Sequence, residues 1–117
     1  MKKEILIVEY SPDTIESIKE MLYHEIFEIT VAGTAEVAKA LLTKKRFDLV
    51  IVEALLPKSH GFDLSEYISR NYKTTNVMII SDKIKVLDYK KEARRHGACD
   101  FFEKPLEPIK FKSKVMK

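Results

Sequence analysis

The sequence predicts an α/β fold in which helices cover both faces of one parallel β-sheet. Three runs of aliphatic residues are too short for buried helices: Ile5–Val8, Leu49–Val52 and Val77–Ile80. Continuous runs of this kind are typical of strands that are covered on both faces. Segments with helical spacing alternate with these strands, and the connections are only a few residues long. This alternation indicates a parallel sheet with right-handed crossovers.

The first predicted strand, Glu4–Val8, leads into a predicted helix over residues 12–24. Ser11 is a favourable N-cap for that helix, and Pro12 suits its first position. Three apolar residues of the segment repeat at helical spacing, namely Ile15, Ile18 and Leu22. The segment is therefore an amphipathic helix with one face towards the core.

The next two elements differ in their apolar patterns. Residues 27–31 alternate between apolar and polar side chains, which predicts a strand at an edge of the sheet. Gly33 and Thr34 open a second predicted helix. The residues expected to face the core from that helix are Val37, Ala38, Leu41 and Leu42.

The strand that begins at Leu49 ends at Glu53, and a loop with Pro57 and Gly61 follows it. Beyond this loop, apolar spacing predicts a third helix. The positions that mark this helix are Leu64, Tyr67 and Ile68.

The last third of the chain continues the alternation. We expect a strand over residues 76–80, a helix over 83–96 and a fifth strand over 98–102. A final helix of about two turns begins at Pro108, and such a short helix needs packing to be stable. Its apolar positions are Phe111 and Val115.

Five strands alternating with five helices indicate a three-layer, doubly wound (βα)5 domain of the flavodoxin-like type, with sheet order 2-1-3-4-5. Strand 2 is placed at an edge because only that strand alternates. We expect residues 1–117 to form a single domain. The short final helix suggests either a module of a longer regulator or hybrid kinase, or a stand-alone adaptor.

Composition restricts the class of protein. With 45% hydrophobic and 33% charged residues, the chain is neither disordered nor membranous. Cys99 is the only cysteine, which excludes an intramolecular disulfide and predicts a cytoplasmic protein in which Cys99 is a buried core residue. Residues 1–82 contain 10 Lys/Arg and 13 Asp/Glu, whereas residues 83–117 contain 11 and 5.

Polar side chains follow four of the five predicted strands. Glu9 and Tyr10 come after the first strand and Glu53 closes the third; Ser81 with Asp82 and then Lys104 follow the fourth and fifth. Ligands gather beyond the carboxyl ends of parallel strands, where these groups converge. The sequence therefore predicts one shared pocket.

Four stretches carry a resemblance to the receiver domain of two-component response regulators: Lys3–Glu9, Phe47–Glu53, Val77–Ser81 and Gly97–Pro105. The resemblance covers nearly the whole chain. It implies that an aspartate at the third strand accepts a phosphoryl group from a histidine kinase. It also implies that acids after strand 1 help to bind Mg²⁺, that a Ser or Thr after strand 4 contacts the phosphoryl group, and that a Lys neutralises it.

The chain departs from this pattern at two positions. Glu53 stands at the phosphoacceptor position, and the acidic pair is replaced by Glu9-Tyr10, while Ser81 and Lys104 fit unchanged. We predict weak or absent Mg²⁺ binding, since the remaining oxygen ligands would be Glu9, Glu53 and the Leu55 carbonyl. The one methylene that Glu53 has beyond Asp moves its carboxylate towards the phosphoryl position, within reach of Lys104 and Ser81.

Three functional hypotheses follow. The first is a degenerate, non-enzymatic receiver that acts as a phosphorylation-independent interaction module. The second is a receiver that is still phosphorylated with Mg²⁺, although Asp82, beside the switch Ser81, would repel a phosphodonor or attract Lys104. The third, less favoured, is a binder of an anionic partner or nucleic acid through the basic residues 83–117, where no nucleic-acid motif is present.

The resemblance also indicates where partners bind. It implies a histidine kinase or an output domain as the signalling partner, docked on the face formed by helix 4, strand 5 and helix 5, and it leaves a homodimer open. Phe101 occupies the switch aromatic position, where it either changes rotamer with Ser81 or is a fixed core residue.

Overall fold

The computed structural model describes residues 2–82 and 89–117. Five longer strands form the main sheet: β1 (Lys3–Val8), β2 (Phe27–Ala32), β3 (Leu49–Glu53), β6 (Asn76–Ser81) and β7 (Asp100–Glu103). Two short strands, β4 (Leu55–Leu56) and β5 (Ser59–His60), form a separate hairpin. The helices are α1 (Pro12–Met21), α2 (Ala35–Lys44), α3 (Gly61–Asn71), α4 (Tyr89–Arg95) and α5 (Pro108–Met116).

The main sheet confirms the predicted topology. Its strands are all parallel and lie in the order β2-β1-β3-β6-β7, which is 2-1-3-4-5 when the hairpin is left out. The strand that was placed at an edge from its alternation, β2, is at an edge. The carboxyl ends of β1, β3, β6 and β7 therefore lie side by side.

Two apolar layers explain why β1 and β3 are continuous aliphatic runs. Ile5, Ile7 and Ile51 point to one face, where they pack with residues of α1 and α5. Val8 and Val52 point to the other face and pack with residues of α2, α3 and α4. Because each residue of β3 is buried on one face or the other, the alternation of polar residues seen in half-exposed strands is absent.

Helices α1 and α2 begin at the positions that the sequence predicted, and each has a hydroxyl N-cap. The Ser11 hydroxyl accepts a hydrogen bond from the Thr14 N–H at 3.5 Å, and the Thr34 hydroxyl accepts one from the Val37 N–H at 3.1 Å. The final helix, α5, has nine residues, and Phe111 is fully buried against the sheet. Within the described residues, no helix is both long and apolar enough to cross a membrane.

Several details of the sequence prediction are wrong. Val37 is 47% exposed, because Ala38 and Leu42 define the buried stripe of α2 and Val37 lies beside it. Helix α1 ends at Met21 rather than at residue 24. Part of the helix predicted over residues 83–96 lies outside the described residues.

Cys99 is exposed, contrary to the buried position expected for it. Strand β7 begins at Asp100, so Cys99 precedes the paired segment, although its N–H still donates to the Val77 carbonyl at 2.7 Å. It lies at the open amino-terminal edge of the sheet. The neighbouring residues Ala98 and Asp100 are buried instead.

Candidate functional site

The carboxyl ends of the central strands bring together the residues predicted to form a pocket. Glu9 directly follows β1, Glu53 is the last residue of β3, Ser81 is the last residue of β6, and Lys104 directly follows β7. The exposed fractions of Glu9, Glu53 and Ser81 are 1%, 3% and 1%. Two carboxylates are thus placed in an almost water-free position, which is unfavourable unless they are paired.

Lys104 supplies the pairing. Its Nζ lies 2.9 Å from Oε1 of Glu9 and 2.5 Å from Oε1 of Glu53, and its side chain is 13% exposed. We call these three residues the Glu–Lys–Glu triad. The triad joins the ends of β1 and β3 to the segment after β7, and its formal charge is −1 with both carboxylates ionised.

Backbone groups satisfy the other two carboxylate oxygens of the triad. Oε2 of Glu9 accepts hydrogen bonds from the N–H groups of Tyr10 at 3.0 Å and Ser11 at 3.1 Å. Oε2 of Glu53 accepts one from the N–H of Leu55 at 2.8 Å. All four carboxylate oxygens therefore already have protein donors.

The ammonium of Lys104 is stabilised in its charged form. Burial pulls the pKa of Lys104 down, but the hydrogen bonds to Glu53 and Glu9 and the charges of these two carboxylates outweigh it and raise that pKa above its ordinary value. A buried ion pair gives a net benefit only when its remaining hydrogen-bonding capacity is satisfied. The backbone donors to Glu9 and Glu53 meet this condition.

The loop after Glu53 is held tightly against β3. The N–H of Gly61 donates to the Ala54 carbonyl at 2.6 Å. A Cβ atom at Gly61 would lie 2.3 Å from the carbonyl oxygen of Glu53, so only glycine fits at this position. Strands β4 and β5, which lie between Glu53 and Gly61, form a hairpin, and Lys58 at its turn has a φ of 62°. The close approach of the Glu53 backbone therefore explains why the predicted loop residue at position 61 is glycine.

The other predicted site residues lie around the triad. The side chain of Tyr10 is exposed, as is Asp82, which shares a groove with Lys104. The described ammonium contacts of Lys104 are nevertheless to the two glutamates. Leu55 is 59% exposed and pairs with His60 in the hairpin.

Phe101, at the switch aromatic position, is half-buried. Its ring stacks on that of Tyr89 in α4, with the ring centroids 5.8 Å apart and an interplanar angle of 26°. Tyr89 also contacts Phe62 of α3, at 5.9 Å between centroids. The ring of Phe101 is therefore in contact with the start of α4.

Asp100 is a buried acid that was not predicted as a site residue. Its side chain is 8% exposed, and its carboxylate lies 3.7 Å from Nζ of Lys90 in α4 and 3.5 Å from Nζ of Lys114 in α5. A sequence signal could have found it: the acid precedes two aromatic residues in a strand, and a basic helix lies on either side of that strand in the sequence. Asp100 links α4, β7 and α5 at the centre of a basic surface.

The donor set does not fit a Mg²⁺ ion. Among residues 2–82 and 89–117, no three His, Cys, Asp or Glu side chains are grouped as metal ligands. Mg²⁺ requires near-octahedral oxygen coordination, usually with carboxylates and water. At this pocket the two buried carboxylates face the ammonium of Lys104, and Tyr10 contributes an exposed ring in place of a third acid.

Comparisons with known proteins agree with this architecture. Among curated proteins, the chain is 32% identical over 115 residues to the response regulator GtcR of Aneurinibacillus migulanus. It is 31% identical over 106 residues to the response regulator protein PilR of Pseudomonas aeruginosa. The alignments cover 98% and 91% of this chain but only 47% and 24% of those proteins.

Solved structures are similar over almost the entire chain. NtrX from Brucella abortus superposes with a TM-score of 0.86 and 26% identity, over 99% of this chain and 26% of that one. The signal receiver domain of an HD domain-containing protein from Pseudomonas fluorescens has a TM-score of 0.90 at 23% identity, over 99% of this chain and 93% of that one, which shows the shared fold. The sequence model of the response regulator receiver domain matches residues 5–116. The chain therefore belongs to the receiver domain family of response regulators, the proteins of two-component signalling.

Proposed function

We propose that this receiver domain, spanning residues 1–117, acts as a phosphorylation-independent interaction module. The observation that carries the proposal is the position of Lys104 between the buried carboxylates of Glu9 and Glu53. The triad holds together the strand ends at which a phosphoryl group would otherwise enter. The domain would then keep one conformation and present its surface to a partner without a phosphorylation signal.

The contacts of Glu53 argue against phosphoryl transfer. A nucleophile must approach in line, and a displacement of about 1 Å can reduce the rate by roughly 10²-fold. The additional methylene of Glu53 displaces its oxygens by about that distance relative to Asp. One of those oxygens is bound to Lys104 and the other to the Leu55 N–H. Each oxygen is thus already held by one donor, and the Lys104 ammonium on one of them withdraws charge from the carboxylate that would attack.

The same contacts argue against a resident Mg²⁺ ion. A divalent cation would compete with the Lys104 ammonium, which has the same sign of charge and already bridges Glu9 and Glu53. The replacement of an acid by Tyr10 removes a further ligand. We therefore expect Mg²⁺ to bind weakly or not at all.

A second candidate function is a receiver that still accepts a phosphoryl group from a histidine kinase. Ser81 and Lys104 favour it, since both stand at the strand ends where the family pattern requires them. In this case Lys104 would move from Glu53 to the incoming group. The two candidates differ in a single property, the reactivity of Glu53 or a neighbouring acid.

The partner surface that we propose is the basic face, defined as the exposed surface of α4, β7 and α5. Helix α5 has three lysines and no acidic residue: Lys110, Lys112 and Lys114. A groove of about 370 Å³ on this face is lined by Phe102 and the exposed Ile109, together with Asp100 and three lysines: Lys90, Lys110 and Lys114. A cationic groove with apolar positions suits an acidic segment of an output domain or kinase. Steeply salt-dependent binding to nucleic acid would favour the alternative anionic partner.

Intact-mass spectrometry after incubation with a small-molecule phosphodonor and Mg²⁺ tests the proposal. The parent chain should remain unmodified, whereas Glu53→Asp/Tyr10→Asp should gain one phosphoryl group. Tyr10→Asp alone is the matched control, because it restores the acid pair but retains Glu53, and it should stay unmodified. A phosphorylated parent chain would support the second candidate instead.

A further inference from the structure

The edge strand β2 lacks most of the features that usually prevent strands from pairing with other chains. It is a regular six-residue strand, Phe27–Ala32, without proline or glycine. Its single charged residue is Glu28, whose carboxylate is 3.4 Å from Nζ of Lys2. Natural edge strands are usually protected by charges, proline, bulges or short length. Along β2, Glu28 is the one charge, and none of the other protections is found.

The outer side of β2 presents backbone groups that are ready to pair. The carbonyls of Ile26 and Ala32 accept hydrogen bonds from β1 and its continuation, so the even-numbered residues turn their backbone groups inward. The odd-numbered residues Ile29 and Val31 therefore turn theirs outward. Within the described residues, β2 pairs with β1 alone.

The opposite edge of the sheet differs. Strand β7 has four residues and begins and ends with acids, Asp100 and Glu103. Lys90 and Lys114 lie beside Asp100. Short length and inward-pointing charge are recognised protections against edge pairing. The two edges are therefore unequal, and β2 is the one open to a further strand.

We infer that β2 is a self-association edge at which a second copy of this chain adds its own β2 in antiparallel orientation. A two-fold axis at Thr30 places Ile29 of one copy opposite Val31 of the other, so that their outward N–H and C=O groups form hydrogen bonds. The two Thr30 residues then face each other, a cross-strand pair that is favourable. Glu28 faces Ala32 of the second copy, and no like charges are opposed.

Charge favours this edge over the basic face for a homodimer. A two-fold interface places the same patch of both subunits in contact. Helix α5 has basic side chains and no acidic ones, so a two-fold contact of α5 with α5 would oppose like charges. Along β2 the one acid is already paired with Lys2. Beside the strand, Tyr23 and Ile26 are exposed, by 81% and 38%, and would add apolar contact.

A single strand pair is a small interface, at the low end of the range for specific complexes. The dimer is therefore expected to be weak and concentration-dependent. Sedimentation velocity of the parent chain should show a mass that rises towards that of a dimer with concentration. Thr30→Lys should abolish the rise, because it opposes two lysines at the axis. Thr30→Val is the matched control and should retain it.

Disulfide trapping tests the register itself, in a Cys99→Ser background that removes the exposed native thiol. Opposed residues of a non-hydrogen-bonded pair have Cα atoms about 4.5 Å apart, within the range that a disulfide spans. Thr30→Cys should therefore give a covalent dimer under mild oxidation.

Glu28→Cys is the control, since its two copies would lie four residues apart along the strand, about 13 Å. Glu28 is more exposed than Thr30, so random collision would cross-link Glu28→Cys at least as fast. Preferential cross-linking through position 30 is the expected result. Equal or faster cross-linking at position 28, or a monomer at every concentration, would overturn the inference.

Discussion

The central strand β3 has a carboxylate at each end, and the two ends use it differently. At the amino end, Asp48 accepts hydrogen bonds from the Glu4 N–H at 2.8 Å and from Arg46 at 2.5 Å, with 30% of its side chain exposed. At the carboxyl end, Glu53 is bound by Lys104 and by the Leu55 N–H, with 3% exposed. Both acids have one cationic partner and one backbone donor, but only Glu53 is removed from water.

The two acids therefore differ in role: Asp48 joins strands at the surface, whereas Glu53 belongs to the candidate site. Arg46 is 57% exposed and also binds Thr74, so the Asp48 network fastens the starts of neighbouring strands at the surface. An exposed ion pair contributes little by itself. A buried one is costly to break, because it leaves an unpaired charge without water. The carboxyl end is therefore the place where a substitution should change both stability and accessibility.

The largest effect is expected at Lys104. Lys104→Met leaves Glu9 and Glu53 buried without their cation and should lower the free energy of unfolding by about 3 kcal/mol, measured by urea denaturation at neutral pH. Lys19→Met is the matched control: Lys19 is 46% exposed and lies 4.0 Å from the exposed Glu16, so its loss should cost under about 1 kcal/mol. Equal losses for the two variants would contradict the assignment of Lys104 to a closed triad.

A charge-neutral replacement sharpens this test. In Lys104→Met/Glu9→Gln/Glu53→Gln no charge remains in the triad, and most of the lost stability should return. Recovery would show that uncompensated charge, rather than lost packing of the lysine stem, causes the defect. Urea denaturation of the single and triple variants in parallel measures the recovery.

The alkaline limb of the stability profile should depend on the triad. The pKa of Lys104 is raised by its two carboxylate partners despite the opposing effect of burial. The contribution is therefore complete below the unfolded-state pKa of lysine and is lost as pH rises through the higher folded-state pKa. Unfolding followed as a function of alkaline pH should converge for the parent and Lys104→Met. Parallel curves would be inconsistent with this linkage.

The amino end of β3 should give the opposite pH dependence and a smaller effect. The backbone hydrogen bond from Glu4 lowers the pKa of Asp48, and Arg46 lowers it further, against the raising effect of burial. This contribution is present above the ordinary aspartate pKa and is lost as pH falls through the lowered one. Asp48→Asn should cost about 1.5 kcal/mol at neutral pH. Thermal unfolding in acid should show the difference vanish, and a constant difference at all pH values would refute the pairing.

The smallest effect lies in the hairpin next to Glu53 and outside the triad. Lys58 adopts a left-handed backbone conformation, which costs a non-glycine residue roughly 1 kcal/mol. Lys58→Gly should therefore raise the free energy of unfolding by up to about 1 kcal/mol, less the greater chain entropy of glycine in the unfolded state. Phosphodonor reactivity should not change, and urea denaturation with intact-mass spectrometry would detect either result.

Much of the fold could be predicted because it depends on periodicity along the chain. The aliphatic runs of β1 and β3 and the alternation of β2 follow from which faces are covered, and neighbours in sequence report this directly. The exposure of Cys99 depends instead on the point at which β7 begins to pair, which Ala98 and Phe101 do not reveal. The hairpin of two-residue strands is too short to produce a pattern.

The residues of the site could be predicted from the sequence, but the contacts between them could not. The predicted strand ends indicated Glu9, Glu53, Ser81 and Lys104 as site residues. The predicted parallel topology placed these residues at the same edge of the sheet. That Lys104 bridges both glutamates depends on side-chain reach across three strands, which sequence spacing does not encode. Asp100 was missed for the same reason, because its lysine partners come from two different helices.

The most direct test of the closed triad is a crystal structure obtained in the presence of beryllium fluoride and Mg²⁺, which together imitate a phosphorylated receiver. We predict that Nζ of Lys104 still bridges Glu9 and Glu53, with neither ion bound at the end of β3. Beryllium fluoride attached to Glu53, with Mg²⁺ beside it and Lys104 turned towards the fluoride, would contradict the account.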